Sequence, residues 1–331
     1  MPDNPTGTVA ANATGNGVTD SADQPRYAYL GPAGTFTEAA LIDWLDGAGG
    51  DLVAYPTIDS ALDAVRSHDV VGAMVPLENS VEGSVAATLD ALATGEPLVI
   101  VGEAHVPVSF ALMARRGTTL DQVRRVTTFP HAQAQCRGWL VEHLPQAQFL
   151  PAASTAAAAA SLVDPDAPYD AALAAPLAAQ VYGLQVLVDH VGDNPDAETR
   201  FVLVTLPCPP QPATGADKTT LVAYIGEDHP GALLEILTEF AVRGVNLTRI
   251  ESRPTGGGIG DYFFSIDIEG HVDDARVGEA LTGLRRVCTQ VRYLGSYPRV
   301  DGVRPALRHG VADSDFRDAQ AWLARVREGR A

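Results

Sequence analysis

The sequence has 331 residues, of which 46% are hydrophobic and 19% charged, and its formal net charge is −18. This composition is typical of a folded protein of two or three domains and excludes a largely disordered chain. No block of lysine and arginine stands out, so nucleic-acid binding is not expected. No apolar stretch is long enough to suggest a membrane span. Residues 1–25 lack the pattern of a signal peptide and are rich in small polar residues, which predicts a flexible tail and a cytoplasmic location.

The three cysteines, Cys136, Cys208 and Cys288, are far apart in the sequence. No Cys-x-x-Cys pair and no Cys/His spacing of a zinc site accompanies them. We therefore expect unpaired thiols and no bound metal.

From Arg26 to about Pro207, short apolar runs alternate with amphipathic stretches of helical length, a pattern that predicts an α/β domain. The runs include RYAYLG, VVGAMVPL, PLVIVGEAHV and RFVLVTL. The stretch LPCPPQPATGADK then marks a linker, with its centre at residues 208–217.

A second pattern covers residues 218–299, where the predicted order of elements is βαββαβ, the ferredoxin-like plan. The glycine-rich TGGGIG within it is followed by a strand, so it predicts a hairpin turn and not a nucleotide-binding loop. Residues 300–331 are polar up to a predicted helix. That helix would carry on one face Phe316, Ala319, Leu323 and Val326.

Two loops that follow predicted strands have the features of helix starts. In GPAGTFTEAALIDWL, glycines allow a tight turn, and Thr35 with Glu38 forms a capping-box pattern. In PLENSVEGSVAATLDAL, a polar loop that includes Asn79 and Glu82 precedes an amphipathic helix. Free amides at helix starts suit an anion, and ligands of open α/β sheets bind at the carboxyl ends of strands. An ordinary capped loop and a merely solvated loop remain the alternatives on spacing alone.

Two further segments carry groups that chemistry could use. In TTFPHAQAQCRGWL, His131 could act as a base, although a lone histidine before a helix is more often a cap or a surface residue. In DAETRFVLV, strand alternation predicts Thr199 and Phe201 on one face and Arg200 on the other. An arginine is well suited to bind a carboxylate. The alternative is that the aliphatic stem of Arg200 only covers the start of the strand.

Taken in order, these segments resemble the prephenate dehydratase family. GPAGTFTEAA, PLENSVEGSV, PHAQAQC and TRF are similar to four markers of that family. GALL (Gly231 to Leu234) and ESRP (Glu251 to Pro254) resemble the pair of motifs that marks a phenylalanine-binding ACT domain. The resemblance covers roughly Tyr27 to Arg299, and without a preceding chorismate mutase domain it implies the monofunctional enzyme.

The resemblance implies a catalytic domain at 26–207 with two α/β lobes, like type 2 periplasmic binding proteins, followed by the ACT domain. The first lobe would hold about 26–103 plus 190–207, and the second about 104–189. Thr199 would be the essential threonine, Asn79 the loop asparagine and Gln135 the cleft glutamine. The substrate-binding residues implied are Gly34, Thr35, Ser80, Gly83, Ser84, Thr128, Arg200 and Phe201. One departure is Phe129, which stands where the family commonly has a histidine.

The activity implied is the conversion of prephenate to phenylpyruvate, CO2 and water in phenylalanine biosynthesis, with no cofactor. The ACT domain would bind phenylalanine as a feedback inhibitor and would pair with a second copy, giving a homodimer or homotetramer. Its implied ligand-binding residues are His229, Pro230, Gly231, Ala232, Leu233, Leu234, Asn246, Leu247, Glu251, Ser252, Arg253 and Pro254.

Two alternatives remain. Arogenate dehydratase would perform the same chemistry on the aminated substrate. A non-catalytic amino-acid sensor would use the same lobes and would not need Thr199. Prephenate dehydrogenase is disfavoured because the nucleotide-binding fingerprint is missing.

Overall fold

The computed structural model describes residues 24–226, 229–256 and 261–330. Most of the predicted N-terminal tail and part of the predicted TGGGIG turn lie outside these residues. Within the described residues no helix has both the length and the apolarity that crossing a membrane requires.

The first lobe contains a six-stranded sheet with the order β2-β1-β3-β11-β5, and the short β4 pairs with β3. Strands β1, β2 and β3 are parallel, whereas β11 returns late in the chain and runs antiparallel to both of its neighbours. Its elements are β1 (Arg26–Leu30), α1 (Phe36–Leu45), β2 (Asp51–Tyr55), α2 (Ile58–Arg66), β3 (Gly72–Asn79), β4 (Gly83–Ser84), α3 (Ala86–Ala93), β5 (Val99–Pro107) and β11 (Glu198–Thr205).

The second lobe contains a five-stranded sheet with the order β10-β6-β9-β7-β8. Its helices begin after strands of this sheet, in the α/β manner predicted. Its elements are β6 (Ala111–Ala114), β7 (Arg125–Thr128), α4 (Pro130–Gln135), α5 (Arg137–His143), β8 (Gln148–Pro151), α6 (Thr155–Ser161), β9 (Ala171–Ala174), α7 (Pro176–Tyr182) and β10 (Gln185–Val188).

The chain crosses between the lobes twice, from β5 to β6 and from β10 to β11. The two crossing segments are bonded to each other, since the Val108 amide donates to the Ala197 carbonyl at 2.7 Å and the Val191 amide to the Phe110 carbonyl at 2.9 Å. Because β5 stays in the first sheet as far as Pro107, the first crossing lies a few residues later than the sequence suggested.

The C-terminal domain has the βαββαβ order and an antiparallel sheet with the order β13-β14-β12-β15. Its elements are β12 (Asp217–Tyr224), α8 (Ala232–Ala241), β13 (Leu247–Pro254), β14 (Tyr262–Glu269), α9 (Ala275–Val287) and β15 (Gln290–Pro298), and α10 (Asp313–Arg327) follows. The predicted fold, a two-lobed α/β domain followed by a ferredoxin-like domain, is confirmed.

The C-terminal sheet packs directly on the first lobe. Phe263 and Tyr297 belong to the same buried cluster as Leu98 and Ile100 of the first lobe. Gly295 sits so close to the backbone of Ile100 that a Cβ would lie 2.2 Å from its carbonyl oxygen, and φ there is +135°. The two domains therefore share a continuous core.

All three cysteines are unpaired, as predicted. Burial raises the pKa of the Cys136 thiol to about 12 and that of Cys288 to about 11, so both stay protonated and unreactive near neutral pH.

Candidate active site

Thr199 and Asn79 face each other on neighbouring strands, where β3 ends and the loop that reaches the second lobe through Glu82 begins. The Asn79 Nδ2 donates to Thr199 Oγ1 at 2.8 Å. The Asn79 Oδ1 accepts from the amides of Val81 and Glu82, both at 2.9 Å. The asparagine is thus held at both ends, and the threonine oxygen accepts its bond. The Thr199 proton remains available for donation to another group.

The segment before Thr199 is pinned by Ser80. The Ser80 amide donates to the Glu198 carbonyl at 2.9 Å, and the Ser80 Oγ accepts from the Glu198 amide at 3.0 Å. Ser80 therefore holds the start of β11 in register with the end of β3, which fixes the backbone of Thr199.

The loop before α1 is more self-contained than the sequence suggested. Thr35 caps the helix, as its Oγ1 accepts from the Glu38 amide at 3.2 Å. The Glu38 carboxylate accepts from the Gly34 amide at 2.5 Å and from the Tyr29 hydroxyl at 3.1 Å. The start of α1 therefore offers fewer free amides to an anion than predicted. By contrast, α3 begins without any side-chain cap, beside Gly83 and Ser84.

The same loop contacts the second lobe. The Tyr182 hydroxyl, at the end of α7, donates to the Ala33 carbonyl at 2.7 Å. Gly34 has a φ of +83°, and a Cβ there would lie 2.9 Å from the Cα of Ala178 on α7. Glycine is required at this position because the two lobes meet at its Cα.

A carboxylate of the first lobe also contacts the second lobe. Glu82, in the loop after β3, contacts His131 Nδ1 at 3.0 Å and accepts from Gln135 Nε2 at 3.3 Å, and both partners lie on α4 of the second lobe. The Phe129 ring stacks on His131, with ring centroids 5.2 Å apart. The imidazole at this contact between the lobes thus comes from position 131, two residues after Phe129.

Thr128 and Phe201 lie inside the lobes and not on the cleft surface. Thr128 is fully buried and its hydroxyl donates to the Leu173 carbonyl at 2.7 Å. Phe201 packs in the core of the first lobe with Leu41 and Met74. Their burial contradicts the expectation that these two side chains contact the substrate directly.

The expectation that Arg200 contacts the substrate is wrong. Its side chain leaves the sheet on the face opposite to Thr199 and is buried between the first lobe and the C-terminal domain. The guanidinium donates to Glu103 at 2.7 Å, to Asp267 at 2.5 Å and to the Tyr297 hydroxyl at 2.8 Å. Alternation was predicted correctly, but the opposite face of the sheet is covered by the C-terminal sheet.

These contacts belong to a buried group that we call the Arg200 cluster. The Lys218 ammonium donates to Glu103 at 2.8 Å, and the Arg249 guanidinium donates to Asp267 at 3.0 Å. The cluster consists of Glu103, Arg200, Lys218, Arg249, Asp267 and Tyr297.

The cluster is ionised despite its burial. Burial alone would raise the pKa of Asp267, but Arg200 and Arg249 outweigh it and hold that pKa well below its usual range. Burial also acts to raise the pKa of Glu103, but the charges of Arg200 and Lys218 outweigh it, so this pKa is lowered as well. The carboxylates and their cationic partners therefore form a charged bridge between the two domains.

The residues expected to bind phenylalanine are divided between separate places in one chain. A cavity of about 320 Å³ at the start of α8 is lined by His229, Ala232 and Glu235, together with the turn after α9. Asn246 and Leu247 stand at the beginning of β13, and Pro254 at its end, a separation of roughly 24 Å for an extended strand.

Alternation splits the ESRP segment as well. Ser252 is exposed at the edge of the sheet, whereas Arg253 turns to the first lobe and forms a two-point ion pair with Asp90 of α3, at 3.0 and 2.6 Å. Leu233 and Leu234 are exposed on α8. One chain therefore does not assemble the predicted residues into a single site.

Three functional contacts escaped the sequence reasoning: the Glu82 bridge, the Tyr182 hydroxyl on the Ala33 carbonyl, and the interdomain role of Arg200. Glu82 lies inside a motif that the sequence had already singled out, but only the position of the second lobe shows its partners. Among the described residues no group of three or more His, Cys, Asp or Glu side chains is arranged to hold a metal ion.

Comparison with known proteins shows which families the two domains match. A family model described as prephenate dehydratase matches residues 27–208, and one described as ACT domain matches residues 220–286. The prephenate dehydratase of Amycolatopsis methanolica is 48% identical over 306 residues, covering 92% of this chain and 98% of the relative.

Two solved structures are similar over most of the chain. The prephenate dehydratase of Arthrobacter aurescens, in complex with L-Phe, superposes with a TM-score of 0.88 at 52% identity, covering 92% of this chain and 99% of the other. GqqA, described as a novel type of quorum quenching acylase, has a TM-score of 0.75 at 31% identity, covering 82% of this chain and 97% of the other. From these matches and from its two-domain architecture, the chain belongs to the prephenate dehydratase family.

Proposed function

We propose that the cleft beside Thr199 catalyses the decarboxylating dehydration of prephenate to phenylpyruvate, a carbon–oxygen lyase reaction. The observation that supports this most directly is the bond from Asn79 Nδ2 to Thr199 Oγ1, at 2.8 Å. It leaves the threonine hydroxyl oriented and free to donate at the mouth of the cleft.

The chemistry needs little more than such a donor. When the carboxylate bonded to the prephenate ring leaves as CO2, its electron pair enters the ring and expels the 4-hydroxyl group, which becomes water on taking a proton. Aromatisation of the ring drives the step. The Thr199 hydroxyl would donate a hydrogen bond to the departing oxygen. Asn79, through its own bond to Thr199 Oγ1, would help to stabilise the negative charge that spreads from the departing oxygen to Thr199. Preorganised donors of this kind act mainly through electrostatics in the transition state.

Binding of the two substrate carboxylates falls to neutral donors, since Arg200 is buried elsewhere. The uncapped start of α3, with Ser84 and Gly83 beside it, supports one carboxylate site. Gln135, whose amide reaches the cleft at Glu82, supports a contact from the second lobe. The remaining groups at the cleft, Gly34 and Thr35, would close its rim against water.

Phenylalanine is proposed as the effector of the C-terminal domain. The Arthrobacter aurescens relative was solved with L-Phe bound, and the 320 Å³ cavity at the start of α8 offers a place for an amino acid. Because the remaining predicted residues lie elsewhere in the same chain, a second copy would complete the site across the α8 and β13 edge. That pairing implies a homodimer, or a homotetramer built from two such pairs.

The effect of phenylalanine would reach Thr199 through the Arg200 cluster. Arg200 is the next residue in β11, and two of its partners, Asp267 and Tyr297, are on the C-terminal sheet. A shift of that sheet must either move Arg200 or break its bonds. Inhibition then requires that phenylalanine bind one arrangement of the domains more tightly than the other.

Turnover of the purified chain tests this proposal. Phenylpyruvate and CO2 should appear in equal amounts from prephenate, and phenylalanine should suppress both. Arogenate, tested in parallel, separates the two dehydratase activities, and faster turnover of arogenate would assign the chain to that substrate. Binding of phenylalanine by a folded chain that turns over neither compound would leave the non-catalytic sensor as the function. The cytoplasmic location remains part of this proposal.

A further inference from the structure

The helix α10 is held only at its beginning. The Asp313 carboxylate accepts from the Ala275 amide at 2.9 Å, and Val311 lies against Gly244 in the loop after α8. From residue 317 to residue 330 every side chain is exposed, and no residue of the helix is buried. Most of α10 therefore projects from the C-terminal domain into solvent.

The projecting part carries an apolar stripe. Trp322 is 55% exposed, Leu323 40% and Val326 37%. Helical spacing places Ala319 with them on one face. Isolated helices of this length are marginal in water, and a helix with an exposed tryptophan and leucine gains stability when another surface covers that stripe.

The charges of α10 indicate what that surface is. Residues 313–320 contain three aspartates and one arginine, whereas residues 321–330 contain three arginines and one glutamate. The two halves of the helix therefore have opposite net charge. Two copies side by side in antiparallel orientation would pair acidic with basic halves, whereas a parallel pair would oppose like charges.

We propose that α10 docks on α10 of a second copy of this chain, antiparallel, with the two Trp322 side chains at the centre. Crossing at Trp322 puts Asp318 of one copy opposite Arg325 of the other, twice by symmetry. Asp318 and Arg325 are seven residues apart and flank Trp322 on the same edge of the stripe. This local complementarity is needed because the whole chain carries a net charge of −18, which otherwise keeps copies apart.

This contact is separate from the pairing through α8 and β13, and uses none of its residues. The two contacts together would join pairs of chains into a larger assembly. A change confined to α10 should therefore lower the mass of the assembly without disturbing the effector site.

The first experiment compares masses of the full-length chain by sedimentation velocity over a series of concentrations. Trp322→Glu should halve the mass that wild type reaches, whereas Ala321→Glu, on the opposite face of the same helix, should leave it unchanged. Unfolding curves in urea should superpose for both variants, because the helix contributes little to the core. Equal masses for wild type and Trp322→Glu would overturn the proposal, and so would a wild type that stays at the mass of the smaller assembly.

Charge reversal tests the antiparallel geometry. Asp318→Arg and Arg325→Asp should each weaken association, since each puts like charges opposite one another. The double variant should recover it, because the pair is restored in reversed order. The acidic start and basic end of α10 also stabilise the helix through its macrodipole. If that were the only role of these charges, the double variant, in which both are reversed, would associate most weakly. A double variant that associates less than either single one would therefore refute the pairing.

Discussion

Thr199 and Arg200 are consecutive in β11, yet their side chains leave opposite faces of the sheet and enter different environments. Thr199 accepts a bond from Asn79 at the cleft, and Arg200 is bonded to Asp267 and Tyr297 of the C-terminal domain. One peptide unit thus joins the proposed catalytic hydroxyl to the proposed regulatory domain.

Thr199→Ala should lower kcat for prephenate by about 10²–10³, the usual cost of losing one preorganised donor in the transition state. KM should change little, because the bond forms mainly as the hydroxyl departs. Thr205→Ala, at the other end of β11, is the matched control, because the Thr205 hydroxyl contacts the neighbouring Leu206 carbonyl and Cys208. Steady-state kinetics of both variants checks the assignment, which fails if Thr199→Ala keeps wild-type kcat.

Asn79→Asp should also be slow, for a different reason. The new carboxylate can still accept from the Val81 and Glu82 amides, so the loop is preserved. The oxygen that replaces Nδ2 cannot donate to Thr199 and instead accepts a hydrogen bond from its hydroxyl, which is then no longer free to donate to the substrate. We expect kcat to fall while the urea unfolding curve stays close to wild type. A variant with unchanged kcat would show that the orientation of Thr199 is irrelevant.

Tyr297→Phe should weaken inhibition by phenylalanine. It removes the hydroxyl that accepts from Arg200 Nη2 at 2.8 Å but preserves the ring in the core. Allosteric coupling is typically worth 5–150-fold in affinity, so we expect the inhibitory concentration to rise at least about fivefold. Calorimetry should show that phenylalanine still binds.

The control is Tyr293→Phe on the same strand, whose hydroxyl is not bonded to the Arg200 cluster. It should be inhibited like wild type. If phenylalanine inhibits Tyr297→Phe and wild type equally, the Arg200 cluster is not the route of inhibition. The same conclusion follows if Tyr297→Phe escapes inhibition only because it no longer binds phenylalanine.

Asp267 makes stability depend on pH at the acid end. Burial is outweighed by Arg200 and Arg249, so the pKa of Asp267 in the folded chain is below its value of about 3.9 in the unfolded chain. Its contribution is therefore complete well above that value, and it is lost progressively as the pH falls below about 5 towards the folded pKa. The free energy of unfolding, measured with urea between pH 7 and pH 3, should fall over this range.

Asp267→Asn should remove part of that slope. At pH 7 it should cost about 3–5 kcal/mol, since it removes the buried carboxylate that the Arg200 and Arg249 guanidinium groups share. Asp51→Asn breaks the exposed ion pair with Arg26 and should cost at most about 1 kcal/mol. If the two variants lose similar stability, the Arg200 cluster is not the buried charged bridge described above.

Much of the fold follows from local patterns. The alternation of short apolar runs and amphipathic stretches suffices for the two α/β lobes, and the βαββαβ order for the C-terminal domain. The proximity of Asn79 and Thr199 could also be predicted, because both residues lie in motifs that resemble those of one family. The direction of the Arg200 side chain could be predicted only in part. Strand alternation places it on the face opposite to Thr199, but no local sequence pattern shows that a second sheet covers that face.

The remaining misses have the same physical origin. Glu82 finds its partners only when α4 of the second lobe approaches, and the Thr128 hydroxyl is satisfied by Leu173, 45 residues further along the chain. Polar side chains are read from sequence as possible ligands of a substrate, yet burial obliges many of them to bond the backbone or one another. Distinguishing the two cases requires the tertiary contacts.

The shared core between the domains limits how the chain can be taken apart. Gly295 lies against the backbone of Ile100, and Tyr297 packs against the first lobe. Removal of the C-terminal domain would therefore expose an apolar face of the first lobe, with Glu103 and Arg200 in its middle. Such a truncated enzyme would have two uncovered charges and no folded partner surface. An exchange of the C-terminal domain of this chain would therefore have to transplant the buried interface along with the domain.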